Sequence, residues 1–257
     1  MAPHVERAVL GLIQAKLPTV GERGPNAVGH VRQAIVGTQL PHRAVQRMEK
    51  KPDVFQETKK TLSFGRGNVL GDIVKSKGES LRRAVGTGIA AGDRSLRYAV
   101  QEVVPEKLQP VVKEAVAAYI MRAGNCQEHA AIAFLLANRD FKGKTVVLMS
   151  YSKDHAFVLV GDGKELGDYV VVDVWDPSED GKKYSNSGWY GSSEPRIVYE
   201  CDGKDYIEMV RAVLGEKTLT KIYENAYNKA KEQTSGIEKV TKLEELQESY
   251  PFKIYDF

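Results

Sequence analysis

The stretch that decides the fold is Gly124-Asn125-Cys126-Gln127-Glu128-His129-Ala130, continuing as AIAFLLAN to residue 138. Gly124 is suited to end one helix and Asn125 to cap the next. Glu128, three residues after that cap, completes a capping box. Residues 130–138 are apolar nearly all round, which predicts a buried helix. Beyond it the period changes. TVVLMS (145–150), HAFVLV (155–160) and YVVVDVW (169–175) are β-rich runs, separated by Tyr-Ser-Lys-Asp and by a Gly/Asp-rich turn over 161–168. Both connections are too short for helical crossovers, so the strands are expected to be antiparallel. Residues 196–200 are expected to add another strand. The fold class read from this stretch is α+β, a central helix on an antiparallel sheet with further helices before and after it.

Outward from that core, helical spacing covers residues 5–17, 27–36 and 43–50, then 73–85, 95–104 and 105–122. It returns over 206–214, 219–233 and 237–248. The stretch 51–71, with Pro52, Gly65 and Gly67, reads as a linker. The expected organisation is therefore a basic, mainly helical segment 1–71 and a larger domain 72–257.

Composition is that of an ordinary globular chain, with 42% hydrophobic and 28% charged residues in 257. No apolar run approaches the roughly 18 residues that cross a bilayer. The start of the chain lacks the pattern of a Sec signal, so synthesis in a cytosol is expected, with any export by another route. The net charge of +3 is unevenly spread: residues 1–123 carry 20 Lys and Arg against 11 Asp and Glu, residues 124–257 carry 17 against 23. A basic front half suits an anionic surface or an acidic partner. Its cations are scattered, without interleaved aromatics, and give no footprint for nucleic acid. Two cysteines, Cys126 and Cys201, do not make a disulfide scaffold, and reduced thiols are expected. With them and five histidines there is no zinc-type cluster, and no metal or other cofactor is expected. Asp176–Gly181 imitates the opening of a calcium loop, but its twelfth position is Ser187.

The chemistry is concentrated in three residues. Cys126 falls at the first position of the buried helix, where unpaired backbone N–H groups and the helix dipole favour a thiolate. His155 opens a strand 29 residues later, and Asp173 lies 18 residues beyond that near the end of the next. Pairing those strands about Lys164 sets His155 opposite Asp173 with both side chains on one face. A carboxylate then orients the imidazole, whose other nitrogen exchanges a proton with the thiol. An Asp among Val170, Val171, Val172 and Val174 is poor β chemistry unless it has such a partner. Asp176 is the rival for the third position. His129 reads as a packed or partner-facing residue, Asp154 as a turn residue, and Trp189-Tyr190 as either a core anchor or a loop beside the cleft.

The order of helix-borne Cys, strand-borne His and strand-borne Asp resembles the papain-like and transglutaminase-like superfamily. The words GNCQEHA, DHAFVLVGD and VVVDVWDP are similar to motifs of its bacterial effector and toxin members, including the Asp-x-Trp at Asp173-Val174-Trp175. The resemblance covers residues 124–177. It implies a papain/transglutaminase-like core in which a Cys–His pair attacks amide or acyl carbons, the partner being a protein of a host or competitor cell. The catalytic domain is then 72–257. Two departures stand out: Tyr119, Ile120, Met121 and Arg122 occupy the place of the papain-type oxyanion glutamine, and neither Trp175 nor Trp189 lies upstream of the cysteine. The Cys126 N–H supplies one oxyanion donor; Asn125 and Gln127 are candidates for the other, and Trp175 for the cleft wall. Protease, glutamine deamidase and transglutaminase-like acyltransferase stay open. The alternative is a non-catalytic adaptor that keeps the fold and binds through its basic half.

Overall fold

The computed structural model describes residues 51–151 and 155–237. The helices expected over 5–17, 27–36 and 43–50, nearly all of the one over 237–248, and the turn residue Asp154 lie outside the described residues. The chain divides into two units, 1–52 and 53–257, and the second holds the sheet and the cysteine-bearing helix.

The described elements are seven α-helices and four strands. In chain order they are α1 (Lys51–Thr61), α2 (Leu70–Lys75), α3 (Glu79–Ala91), α4 (Arg94–Val103), α5 (Gln109–Met121) and α6 (Cys126–Asp140), then β1 (Thr145–Tyr151), β2 (His155–Gly161), β3 (Val170–Val172) and β4 (Ser193–Glu200), and finally α7 (Tyr206–Gln233). The α+β class is as expected. The sheet is antiparallel throughout, in the order β3-β2-β1-β4.

Strand alternation gives the sheet two apolar faces. Val146, Leu148, Ala156, Val158, Val160 and Val172 join the main core with α6 and α5. Val147, Met149, Phe157, Leu159 and Val171 face the other way, into a smaller cluster with Tyr169 and Tyr184. Because the sheet is covered on both sides, β2 is buried along its whole length. Helix α6 is buried from His129 through Asn138, which is why its sequence shows no polar face. β4 starts three residues earlier than expected; it contains Pro195, and its pairing with β1 shifts register opposite Leu148 and Met149, both tolerated on an outer strand.

Three expectations change. Residues 51–71 are not a linker: α1 occupies 51–61, Val54, Thr58 and Leu62 are buried on the core, and both Arg139 guanidinium nitrogens reach the Glu57 carboxylate at 2.7 and 2.9 Å. The compact unit thus begins at residue 53 instead of 72. Few apolar residues mark this helix, so the glycines after it dominated its reading. The stretch 105–122 splits into a 3₁₀ turn, Glu106–Leu108, and α5. The helix expected over 73–85 is instead two, α2 and α3, whereas the two expected over 206–233 are both present within α7, meeting at a kink at Gly215, whose φ of 68° leaves the helical region.

Leu62, 2% exposed, separates a helix that belongs to the core from a tether. Leu62→Ala is expected to destabilise the chain by about 2–4 kcal/mol in urea unfolding. A side chain in a linker would change the midpoint negligibly.

Candidate active site

The start of α6 is built by local sequence. α5 ends because Arg122 takes a left-handed φ of 60°, two residues before the expected stop at Gly124. Gly124 serves another purpose: a Cβ there would lie 2.4 Å from the Glu128 Cβ. Its absence lets Glu128 fold back so that its carboxylate accepts the Asn125 N–H at 2.7 Å. The capping box is formed, and Cys126 is the first residue of α6, half-buried. Burial pushes the Glu128 carboxyl up, opposed by the Asn125 N–H.

His129, one turn into the helix, is buried and donates its Nδ1–H to the Asn125 carbonyl at 2.8 Å. It props the helix mouth from inside, as the packed residue expected. Burial holds its pKa down at about 4 against the pull of that hydrogen bond.

His155 is the first residue of β2, and its Nε2–H donates to Asp173 Oδ2 at 2.6 Å in a buried setting. Asp173, 1% exposed, also accepts the Trp175 N–H at 3.2 Å and the Asp176 N–H at 2.9 Å on Oδ1. Burial pushes the Asp173 carboxyl up, and the three donors on it work against that, in favour of the ionised form. Burial pulls the His155 pKa down, but the hydrogen bond and charge of Asp173, with those of Cys126, outweigh it and raise it to about 9. The ring nitrogen turned away from Asp173 is Nδ1, which is buried without a hydrogen-bond partner. His155 and Asp173 are thus paired directly, and Cys126 lies close enough to act on the same imidazole.

The pairing that does so differs in detail from the expected one. Val158 pairs with Val172, and the same register extended along both strands sets His155 opposite Trp175. The regular strand also stops at Val172, so Asp173 opens the following loop. The slip of two residues preserves the face, and the carboxylate reaches the imidazole diagonally. Asp176 is not its partner: its own carboxylate accepts from the Ser178 N–H at 3.1 Å and the Ser178 hydroxyl at 2.7 Å, a local turn.

Aromatic rings enclose the imidazole. Trp189 lies 4.9 Å and Trp175 5.1 Å from it, centroid to centroid, with Phe157 at 6.0 Å. Trp175 is therefore placed at the site as expected, and Trp189 belongs to it too. Of the candidate oxyanion donors, Gln127 is committed elsewhere, its amide donating to Glu114 Oε1 at 2.7 Å, while Asn125 is held through its backbone N–H and its side-chain Oδ1 is buried without a hydrogen-bond partner. Cys201 is reduced and buried, its thiol pushed up by burial to about 12.

Arg66 is a site neighbour that no sequence pattern singled out. Its guanidinium donates to the Trp175 carbonyl at 3.1 Å and to Asp72 Oδ2 at 3.0 Å, while its backbone bridges Gly124. It ties the start of the cysteine helix to the loop that carries Asp173. The usable signal was Gly65-Arg66-Gly67, since paired glycines mark close backbone approach as well as loops.

No family model, curated protein or solved structure matches the chain. Among the described residues no helix is long and apolar enough to cross a membrane, and no group of three His, Cys, Asp or Glu side chains is placed to hold a metal.

The depressed pKa of His129 has a consequence for acid stability. The unfolded chain protonates this residue near 6.5 and the folded one only near 4, so the unfolded state binds the extra proton between those values. Stability is therefore lost as pH falls from 6.5 to about 4, by up to about 3 kcal/mol from this residue. Urea midpoints measured across that window are expected to fall less steeply in His129→Gln than in the parent. Parallel slopes would contradict the assignment.

Proposed function

We propose that the protein is a cysteine-nucleophile acyl-transfer enzyme acting on protein amide bonds, with a papain/transglutaminase-like core. The observation that carries this reading is a thiol at a helix N-terminus beside an imidazole whose far nitrogen is bound, at 2.6 Å, to a buried carboxylate. Structural packing has no need of such a pair, because a buried Asp–His couple is a costly way to fill space.

In the proposed mechanism, His155 Nδ1 takes the Cys126 proton and the resulting imidazolium stays beside the sulfur, the arrangement that activates a thiol nucleophile. Asp173 fixes the tautomer and supports the positive charge. The sulfur attacks the amide carbon, and the carbonyl π electrons move to oxygen, where the Cys126 backbone N–H and the helix N-terminus stabilise them. Collapse expels the amine, which leaves with the proton from Nδ1. Water, deprotonated by the same nitrogen, then releases the acid from the thioester. With a peptide substrate the result is cleavage, with a glutamine side chain it is deamidation, and with an amine in place of water it is transfer. The sequence words shared with bacterial effectors and toxins support a protein substrate in another cell.

Iodoacetamide at about pH 6.5 tests the activated pair, since an ordinary thiol is almost wholly protonated there. Cys126 is expected to be carboxamidomethylated and buried Cys201 to stay unmodified until the chain is unfolded. In His155→Ala the rate at Cys126 is expected to fall on the order of tenfold or more, toward that of an ordinary thiol titrating near about 8.5. Equal rates in parent and variant would remove the basis for the reading. On a protein substrate, mass spectrometry then separates a new chain terminus from a gain of about one dalton.

A further inference from the structure

The chain that runs from α5 into the helix of the nucleophile is held by its carbonyls. Met121 accepts from Arg83 Nη1 at 3.0 Å, Arg122 from the Phe64 N–H at 3.0 Å, Ala123 from the Thr87 hydroxyl at 2.9 Å and Gly124 from the Gly67 N–H at 3.1 Å. Two of these donors are side chains of α3, one turn apart on the same face. The turn they hold contains Arg122, left-handed without being glycine, a conformation that persists where surrounding contacts over-determine it. Of the two α3 contacts, that of Thr87 is the nearer in sequence to the nucleophile, and Thr87 is 1% exposed. Its hydroxyl has one hydrogen and two carbonyls within reach. The Arg83 carbonyl, at 3.1 Å, lies inside α3 and is served by that helix's own ladder. The Ala123 carbonyl is closer and lies outside the helices, so the hydrogen belongs to it.

Only Gly124 and Asn125 separate Ala123 from Cys126. A shift of the Ala123 carbonyl therefore turns the first peptide planes of α6 and displaces the sulfur that follows them. We propose that Thr87 is a positioning residue for the acyl-transfer reaction: its hydroxyl fixes the Ala123 carbonyl and so holds the Cys126 sulfur where it can exchange a proton with His155. The proposal rests on the acyl-transfer reading. It goes further in assigning the aim of the nucleophile to a side chain of α3, outside the triad. Threonine suits both halves of the task, since its methyl packs in the core while its hydroxyl donates. A displacement of about 1 Å is enough to spoil such an alignment.

Alkylation of the full chain by iodoacetamide at about pH 6.5 and about pH 9.5 tests it. At the lower pH an ordinary thiol is about 1% ionised, so the rate at Cys126 reports the aligned pair; at the higher it is about 90% ionised, and the rate reports access to the sulfur. Thr87→Val keeps the shape and deletes the hydroxyl. It is expected to slow the reaction at pH 6.5 on the order of tenfold and to leave that at pH 9.5 within about threefold. Thr87→Ser keeps the hydroxyl and deletes the methyl; it is expected to lower the unfolding midpoint yet react at pH 6.5 within about twofold of the parent. Activation then follows the hydroxyl and not stability, which a merely structural role does not produce. If the valine variant opens the core, which modification of Cys201 reports, Thr87→Ala against Thr87→Ser makes the same comparison with only the hydroxyl changed. An undiminished rate at pH 6.5 without the hydroxyl overturns the proposal. So does an equal fall at both pH values, or a serine variant as slow as the one lacking the hydroxyl. A parent whose Cys126 reacts as an ordinary thiol at both pH values instead overturns the acyl-transfer reading, because no activated pair is then present to be aligned.

Discussion

An aspartate with almost no solvent contact persists in a protein interior only if its charge is answered. Asp173 is answered by the His155 imidazole and by the N–H groups of Trp175 and Asp176. Much else in the structure follows from that demand. The strand must end at Val172 so that the next backbone amides can curl toward the carboxylate, and β2 must begin at His155 so that its ring lies within reach. Removing either partner strands the other, the more damaging way to disturb a buried pair. The imidazole in turn holds a proton more firmly than a free histidine does, which makes it a suitable neighbour for a sulfur anion.

The sulfur is positioned by different means. Its place is set by how α6 begins: a left-handed Arg122, a glycine that leaves room for Glu128, and a cap whose carbonyl is braced by His129. Two independent pieces of chain therefore converge on the site, one specified by strand pairing and one by helix capping. Arg66 joins them.

How much of this was legible in the sequence depends on the range of the signal. The capping box, the buried helix and the antiparallel runs are local patterns, and they appear where expected. Parity along a strand is also local, so His155 and Asp173 could be placed on one face although the register was off by two. Which residues of the 161–168 turn are looped out depends on how Tyr169 packs over Gly161, and no local pattern reports that. Contacts across long separations were the least visible. Arg66 meets the Trp175 carbonyl across 109 positions, and the glycines beside it carry the same letters whether they mark a hinge or a tight approach. Helix α1 was missed because its buried side includes Thr58, whose hydroxyl is satisfied by the Val54 carbonyl and so behaves as an apolar group.

The enclosure of α6 has a further implication. A rod wedged among other helices and the sheet cannot slide or tilt without opening the core, so in the proposed reaction the Cys126 sulfur is the stationary partner. On that proposal, accommodation of a substrate falls to what surrounds the rod's tip, where Trp175, Trp189 and the segment around Arg66 sit on loops and turns. Changes there can alter which molecules are accepted while leaving the reactive centre undisturbed. Taste and reactivity are thereby assigned to separate parts of one fold.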